Sequence, residues 1–341
     1  MLSDKPFLRA LREASEYKRR LVVPLVGFPG LNLTGCTIKL AQQNFGEHYK
    51  VVKAIADTFK PDAVFPLMDL SVEANALGRY TLFPKEDSAT VPKDIFSEKD
   101  VSAAERINIA SDTRLIGYVE TLKLMNIGLP NNILRGAYIT GPYTLAALMM
   151  GAEEAAAATI MNPEELHKIC RISANKIRQY AQMLISSGAQ IICILEPSAV
   201  MLGPAQFSEF SAEYVKGITN VCAFTDASAV YHICGNSMHL IEKMCESGVD
   251  AISLDSPETG VDLPAAAERV PPDVAVIGNI NPTGKILSGS VSEVEEEVLR
   301  LLKVMEPFPN FVLSTGCDLP QETPADNISA FMQAGRNYIW N

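Results

Sequence analysis

The chain is predicted to fold as an α/β protein, a (β/α)8 TIM barrel with an insertion between its second and third strands. Three observations predict it. Apolar, β-branched runs begin at residues 21, 63, 136, 190, 229, 251, 274 and 311, and each is followed by a helical pattern. No Gly-x-Gly-x-x-Gly follows the first run, where the chain reads Gly27-Phe28-Pro29-Gly30, so an open dinucleotide-binding sheet is disfavoured. A length of 341 residues also admits a barrel as a single domain, 1–341.

The first strand is read at 21–26, before a helical pattern over 37–59 that stops ahead of Pro61. A second strand at 63–68 delivers Asp69, and 71–77 can turn helical before Gly78. From 79 to 135 the pattern loosens into proline-containing turns, a charged stretch at 85–100 and a helix around 115–125; this is the insertion, a peripheral segment. A strand at 136–140 and a compact helix at 143–150 resume the alternation.

Asn162-Pro163-Glu164-Glu165 has the form of a helix start, with Asn162 as N-cap and proline in the first turn. Leu166, Ile169, Cys170, Ser173, Ile177, Tyr180, Ala181 and Leu184 follow at spacings of three and four, and Gly188 ends the run. The run 190–195 is almost wholly apolar, as befits a parallel strand covered on both faces. Helices are then read at 204–222, 238–246 and 263–269, between strands at 229–234, 251–254 and 274–278. A capping box at Ser292-Glu293-Val294-Glu295 opens another helix, and strand 311–314 with helix 324–338 completes the series.

Composition narrows the function. Forty acidic against 29 basic side chains give a net charge of −11, without a Lys/Arg block to track phosphates, so no nucleic-acid partner is expected. No apolar run is long enough to span a bilayer and the N-terminus carries charge at once, so no membrane association and a cytoplasmic location are expected. Seven cysteines scattered through apolar segments fit a reduced compartment. Cys170, Cys193, Cys222 and Cys245 read as core packing, and His48, His167 and His239 as ordinary helix-surface residues.

The chemistry-bearing stretch is Val230-Tyr231-His232-Ile233-Cys234-Gly235-Asn236. Along a strand, i and i+2 point the same way, so His232 and Cys234 can grip one ion together. Leu313-Ser314-Thr315-Gly316-Cys317 repeats the device of an apolar strand that delivers a cysteine at its mouth, 83 residues beyond Cys234. That separation exceeds a zinc finger's local spacing, so only tertiary structure assembles the three. One imidazole and two thiolates suit zinc with an open fourth position; the bland alternative is a satisfied core histidine and two packing cysteines. Barrel active sites form at the carboxyl ends of strands, where Asp69, Glu196, His232, Cys234, Asp255, Asn279 and Cys317 all fall.

The His232-Ile233-Cys234-Gly235 stretch with distant Gly316-Cys317 resembles the methylcobamide:coenzyme M methyltransferases of the uroporphyrinogen decarboxylase superfamily. Further similar stretches are 65–74, 141–146, 196–199, 278–280 and 323–328, a coverage from about residue 20 to the C-terminus. The resemblance implies a barrel, and zinc held by His232, Cys234 and Cys317 with Asp255 as the carboxylate that fills the fourth position when substrate is absent. Related sequences often carry glutamate there, so the shorter aspartate departs from the pattern. The resemblance also implies a methylcobalamin-type corrinoid, carried by a corrinoid protein, as methyl donor and a small thiol such as coenzyme M as acceptor, with tetrahydrofolate the variant acceptor.

Asp69 and Glu73 are the catalytic candidates, against readings as a helix N-cap and a first-turn acid. Glu196 and Asn279 are candidates for cofactor binding, although Asn279 can equally end its strand. The competing activity within the same superfamily is metal-free porphyrinogen decarboxylation. Its signs are mostly missing: no arginine stands in 27–32, the tyrosine of its Gly-x-Pro-x-Thr-Leu helix is displaced by Ala147 and its late histidine by Cys317.

Overall fold

The computed structural model of the chain describes residues 5–84, 87–92 and 97–340. Seven strands form one parallel sheet in sequence order: β1 Ala63–Val64, β2 Leu134–Thr140, β3 Ile191–Leu195, β4 Ser228–Ile233, β5 Ala251–Leu254, β6 Ala275–Ile280 and β7 Phe311–Thr315. The sheet curls in the TIM-barrel manner with helices outside.

The first of the eight predicted strands is the exception. Residues 21–26 contribute one bridge, Val22 to Leu313, flanked by Val23 N–H to Leu313 O (2.8 Å) and Leu313 N–H to Leu21 O (3.0 Å). On the β1 side, the Val22 N–H is taken by the Asp62 carboxylate at 2.7 Å, and Pro24 offers no N–H to continue a ladder. The segment therefore lies between β7 and the chain entering β1 without becoming a strand.

Alternation along the strands sorts their side chains. Leu134, Ile191, Cys193, Leu195, Val230, Ala251, Ala275, Ile277 and Val312 fill the interior, while Ala137, Ile139, Ile192, Ile194, Tyr231 and Ile252 face the helices. A helix over Pro6–Glu16, unread in the sequence, packs Phe7, Leu8, Leu11 and Ala14 into the interior cluster. Its Lys5 Nζ donates to Asp250 at 2.7 Å, just ahead of β5, so this helix covers the amino-terminal end of the sheet. The carboxyl ends are left to form the mouth.

Local signals held with shifts. The helix expected after Asn162 runs Pro163–Ser186, but the Asn162 side chain bonds Glu165 and caps no backbone N–H. The late capping box is made by Ser290 with Glu293, two residues earlier than expected, because Ser290 is the residue with extended backbone at that helix's start. Of the expected insertion 79–135, residues 85–86 and 93–96, part of the charged stretch 85–100, lie outside the described residues. Its helix Thr113–Gly128 packs on Phe45–Phe59 and buries Leu115, Leu122 and Met125 as part of the outer layer. Among the described residues no single helix is long and apolar enough to cross a membrane.

Candidate metal centre

β4 is buried throughout, and its register sets His232 beside Ser253 of β5. His232 Nδ1 lies 3.0 Å from Ser253 Oγ, which leaves Nε2 aimed at Cys234 Sγ, 3.2 Å away. Gly235 turns the chain immediately afterwards with φ of +83°, a conformation that side-chain-bearing residues rarely adopt. Cys317 arrives from the end of β7, and its Sγ stands 3.7 Å from that of Cys234. The three donor atoms all lie within 4.8 Å of one another, and His232, Cys234 and Cys317 form the one such group among the described residues.

That spacing suits a tetrahedral cation. With zinc–sulfur bonds of about 2.3 Å, two thiolates on tetrahedral zinc stand about 3.8 Å apart. The donor set of borderline and soft atoms also matches zinc in preference to hard oxygen-seeking cations. The Cys317 thiol is held well above its ordinary range, first by its hydrogen bond with Cys234 and then by burial. A divalent cation between the sulfurs reverses that balance by favouring thiolate.

Asp255, expected as a fourth ligand, stays outside the trio. Its Oδ2 accepts from Gly235 N–H at 2.7 Å and its Oδ1 from Ser256 N–H at 2.6 Å. Asn279, expected at the cofactor, is buried and donates through Nδ2 to Asp255 O at 2.9 Å. Glu196 likewise has no surface with which to meet a cofactor: it is 0% exposed. Its Oε1 accepts from Tyr143 N–H (2.8 Å), Thr144 N–H (3.3 Å) and Ser211 Oγ–H (2.8 Å), while Oε2 is buried without a partner. Both residues brace the strand mouths.

Burial raises the Glu196 carboxyl from 4.5 to about 8, so it carries a proton at neutral pH. Unfolded, it ionises near its ordinary value, whereas the folded chain keeps the proton; stability from this group is full below pH 4.5 and falls as pH rises toward 8. The slope is one proton, about 1.4 kcal/mol per pH unit. Glu196→Gln is therefore expected to flatten the fall in urea midpoint between pH 5 and 8, and parallel wild-type and variant profiles would refute this.

Asp69 and Glu73 form a separate cluster. Asp69 Oδ2 is ion-paired with Arg114 and accepts from Tyr118 Oη–H at 2.8 Å, and Oδ1 accepts from Ser71 N–H and Oγ–H at 3.0 and 2.7 Å. Glu73 accepts from Thr140 N–H (2.7 Å) and Oγ1–H (2.8 Å), and burial pushes it up to about 7. Neither acid bonds to the trio. With Tyr118 and Tyr180 they border a cavity of only about 10 Å³ between sheet and helices. His48 belongs here as well and corrects the surface expectation: it is 1% exposed, accepts the Leu67 N–H at 2.8 Å, and burial pushes it down to about 3.

Arg114, Tyr118 and Ser253 were not singled out in the sequence. Arg114 and Tyr118 are four apart on one helix, a spacing that puts both on the face turned to Asp69. Ser253 precedes Asp255 by two residues, the same-face period that identified His232 and Cys234.

A family model described as uroporphyrinogen decarboxylase matches residues 5–338. A uroporphyrinogen decarboxylase of Prochlorococcus marinus (strain MIT 9312) is 24% identical over 300 residues, covering 86% of this chain and 84% of its own. One of Synechococcus sp. (strain CC9605) is 27% identical over 299 residues, covering 85% and 82%. Among solved structures, a methyltransferase from Methanosarcina mazei superposes with a TM-score of 0.85 over 96% of this chain and 98% of its own, at 20% identity. A B12-independent methionine synthase from Shewanella sp. W3-18-1 in complex with selenomethionine gives 0.57 over 85% and 86%, at 12% identity. These likenesses establish the fold.

Proposed function

The chain belongs to the uroporphyrinogen decarboxylase family, and within it we propose a zinc-dependent methyltransferase that moves a methyl group from a methylated corrinoid protein to a thiol such as coenzyme M. The observation that carries this reading is the convergence of His232, Cys234 and Cys317 at tetrahedral spacing. His232 through Nε2 and the two cysteine thiolates would hold zinc with one position open, the composition of a catalytic and not a closed structural site. A zinc ion held there would supply Lewis acidity, lowering the pKa of a thiol in the open position so that it could act as a nucleophile at neutral pH.

The remaining work falls to the chain. Two thiolates keep the centre electron-rich, which favours alkyl transfer over hydrolysis. Ser253 fixes the His232 ring so that Nε2 meets the sulfurs. Acceptor and donor would both approach from the carboxyl ends of the strands, since the Pro6–Glu16 helix covers the opposite end. In the overall exchange the acceptor's sulfur–carbon bond forms as the donor's cobalt–carbon bond breaks. The electron pair stays with cobalt and the thiol proton leaves to solvent. A cytoplasmic setting, with a corrinoid protein as the partner, belongs to the same proposal.

Decarboxylation of a porphyrinogen is the second reading, favoured by the names of the curated relatives. It fits the geometry less well, since a metal-free route would need a free acid and the catalytic candidate Asp69 is occupied by Arg114 and Tyr118. Spectrophotometric following of methylcobalamin demethylation with a panel of thiols and tetrahydrofolate, alongside a porphyrinogen decarboxylation assay, tests both. Thiol-dependent demethylation is expected; carbon dioxide release without demethylation would overturn the proposal. Ser253→Ala is expected to weaken zinc binding about 10- to 100-fold by freeing the imidazole. Chelator competition measures it, and unchanged affinity would remove Ser253 from this role.

A further inference from the structure

We propose that Asp255 and Ser256 form a spacer that sets the separation of the two thiol-bearing turns, so that Asp255 is a positioning residue and not a metal ligand. The inference rests on the reading of His232, Cys234 and Cys317 as a metal centre. On one side the Asp255 carboxylate grips the Gly235 N–H, the residue next to Cys234, at 2.7 Å. On the other side the backbone of Ser256 presses against Gly316, the residue before Cys317. A Cβ at Gly316 would stand 2.5 Å from Ser256 N and 3.0 Å from Asp255 C, so only glycine permits this approach. From beneath, Asn279 Nδ2 holds Asp255 O at 2.9 Å, and the Gly316 N–H is tied to Ile280 O at 2.8 Å.

One short turn thus touches the neighbours of both cysteines and is itself anchored to β6. The carboxylate's two oxygens face backbone N–H groups of Gly235 and Ser256, and no oxygen of Asp255 joins the three donors that lie within 4.8 Å. A ligand would need an oxygen about 2.0–2.2 Å from the ion, which places it within about 4 Å of each other donor. Reaching there would break the grip on Gly235 and release the turn that presents Cys234. The spacer reading keeps the fourth position open for substrate and gives the aspartate, shorter than glutamate, a use that glutamate's extra methylene would disturb.

The test is zinc K-edge absorption and chelator competition on the wild-type chain, Asp255→Asn, Gly316→Ala and the double variant. Asparagine replaces one accepting oxygen by an N–H₂ facing a backbone N–H, so the grip fails on that side. Each single variant is expected to bind zinc about 10- to 100-fold more weakly, with the same two sulfurs and the same nitrogen/oxygen count at saturating zinc. Because both act through one spacer, the double variant is expected to lose less than the product of the single losses. Loss of one oxygen from the shell in Asp255→Asn, unchanged affinity, or fully multiplicative losses would each overturn the spacer. Should the variants not fold, the wild-type zinc complex decides alone: Asp255 Oδ2 stays on the Gly235 N–H, or it moves onto the metal and the inference fails. A wild-type chain that takes up no zinc would instead sink the metal-centre reading itself.

Discussion

Cys317→Ala is expected to abolish stoichiometric zinc and to slow thiol-dependent methylcobalamin demethylation by at least about 10³-fold. A Lewis-acid centre supplies several kcal/mol of stabilisation to a developing thiolate, and each 1.36 kcal/mol is tenfold in rate. Cys317 is one of only two sulfurs in the trio, and the remaining His232 and Cys234 make a two-ligand site. A control separates this from general damage. Cys222 is fully buried in the helix Glu213–Ala223 and touches none of the three, so Cys222→Ala is expected to cost packing stability while retaining zinc and demethylation. Equal loss in both variants would mean that folding, not the centre, was measured.

Arg114→Met is expected to destabilise the fold by about 3–5 kcal/mol, because it removes one partner of a buried ion pair. The Asp69 side chain is wholly buried and that of Arg114 is 7% exposed, so neither charge can turn to water when the other is lost. Tyr118 and Ser71 would continue to donate to the carboxylate without neutralising it. Urea unfolding reads the effect, and adding Asp69→Asn is expected to restore part of it since the orphaned charge disappears. A loss below about 1 kcal/mol would place the pair among solvent-screened contacts.

The strands that could be read from the sequence were those buried on both faces, such as 190–195, where apolar identity leaves little ambiguity. The run 21–26 is as apolar, yet Pro24 and the Asp62 side chain deny it a ladder; a side chain's competition for a backbone N–H leaves no periodic mark. The helix Pro6–Glu16 carries Phe7, Leu8, Leu11 and Ala14 on one face, a pattern interrupted by charged neighbours. His232 and Cys234 were legible because a strand's period is two, and Cys317 because a second strand repeats the device. What the two positions do not reveal is register: that Ser253 falls beside His232 depends on the pairing of β4 with β5. Residue type alone puts His48 on a helix surface, whereas its ring accepts a backbone N–H inside the outer layer. Asp255 sits where a ligand was expected, and only its two backbone partners distinguish a clamp from a ligand.

The most direct measurement is zinc X-ray absorption on purified protein before and after addition of the acceptor thiol. About one zinc per chain with two sulfur neighbours is expected, rising to three when the thiol enters the open position. Absence of zinc, or a sulfur count that the thiol leaves unchanged, would contradict the proposal.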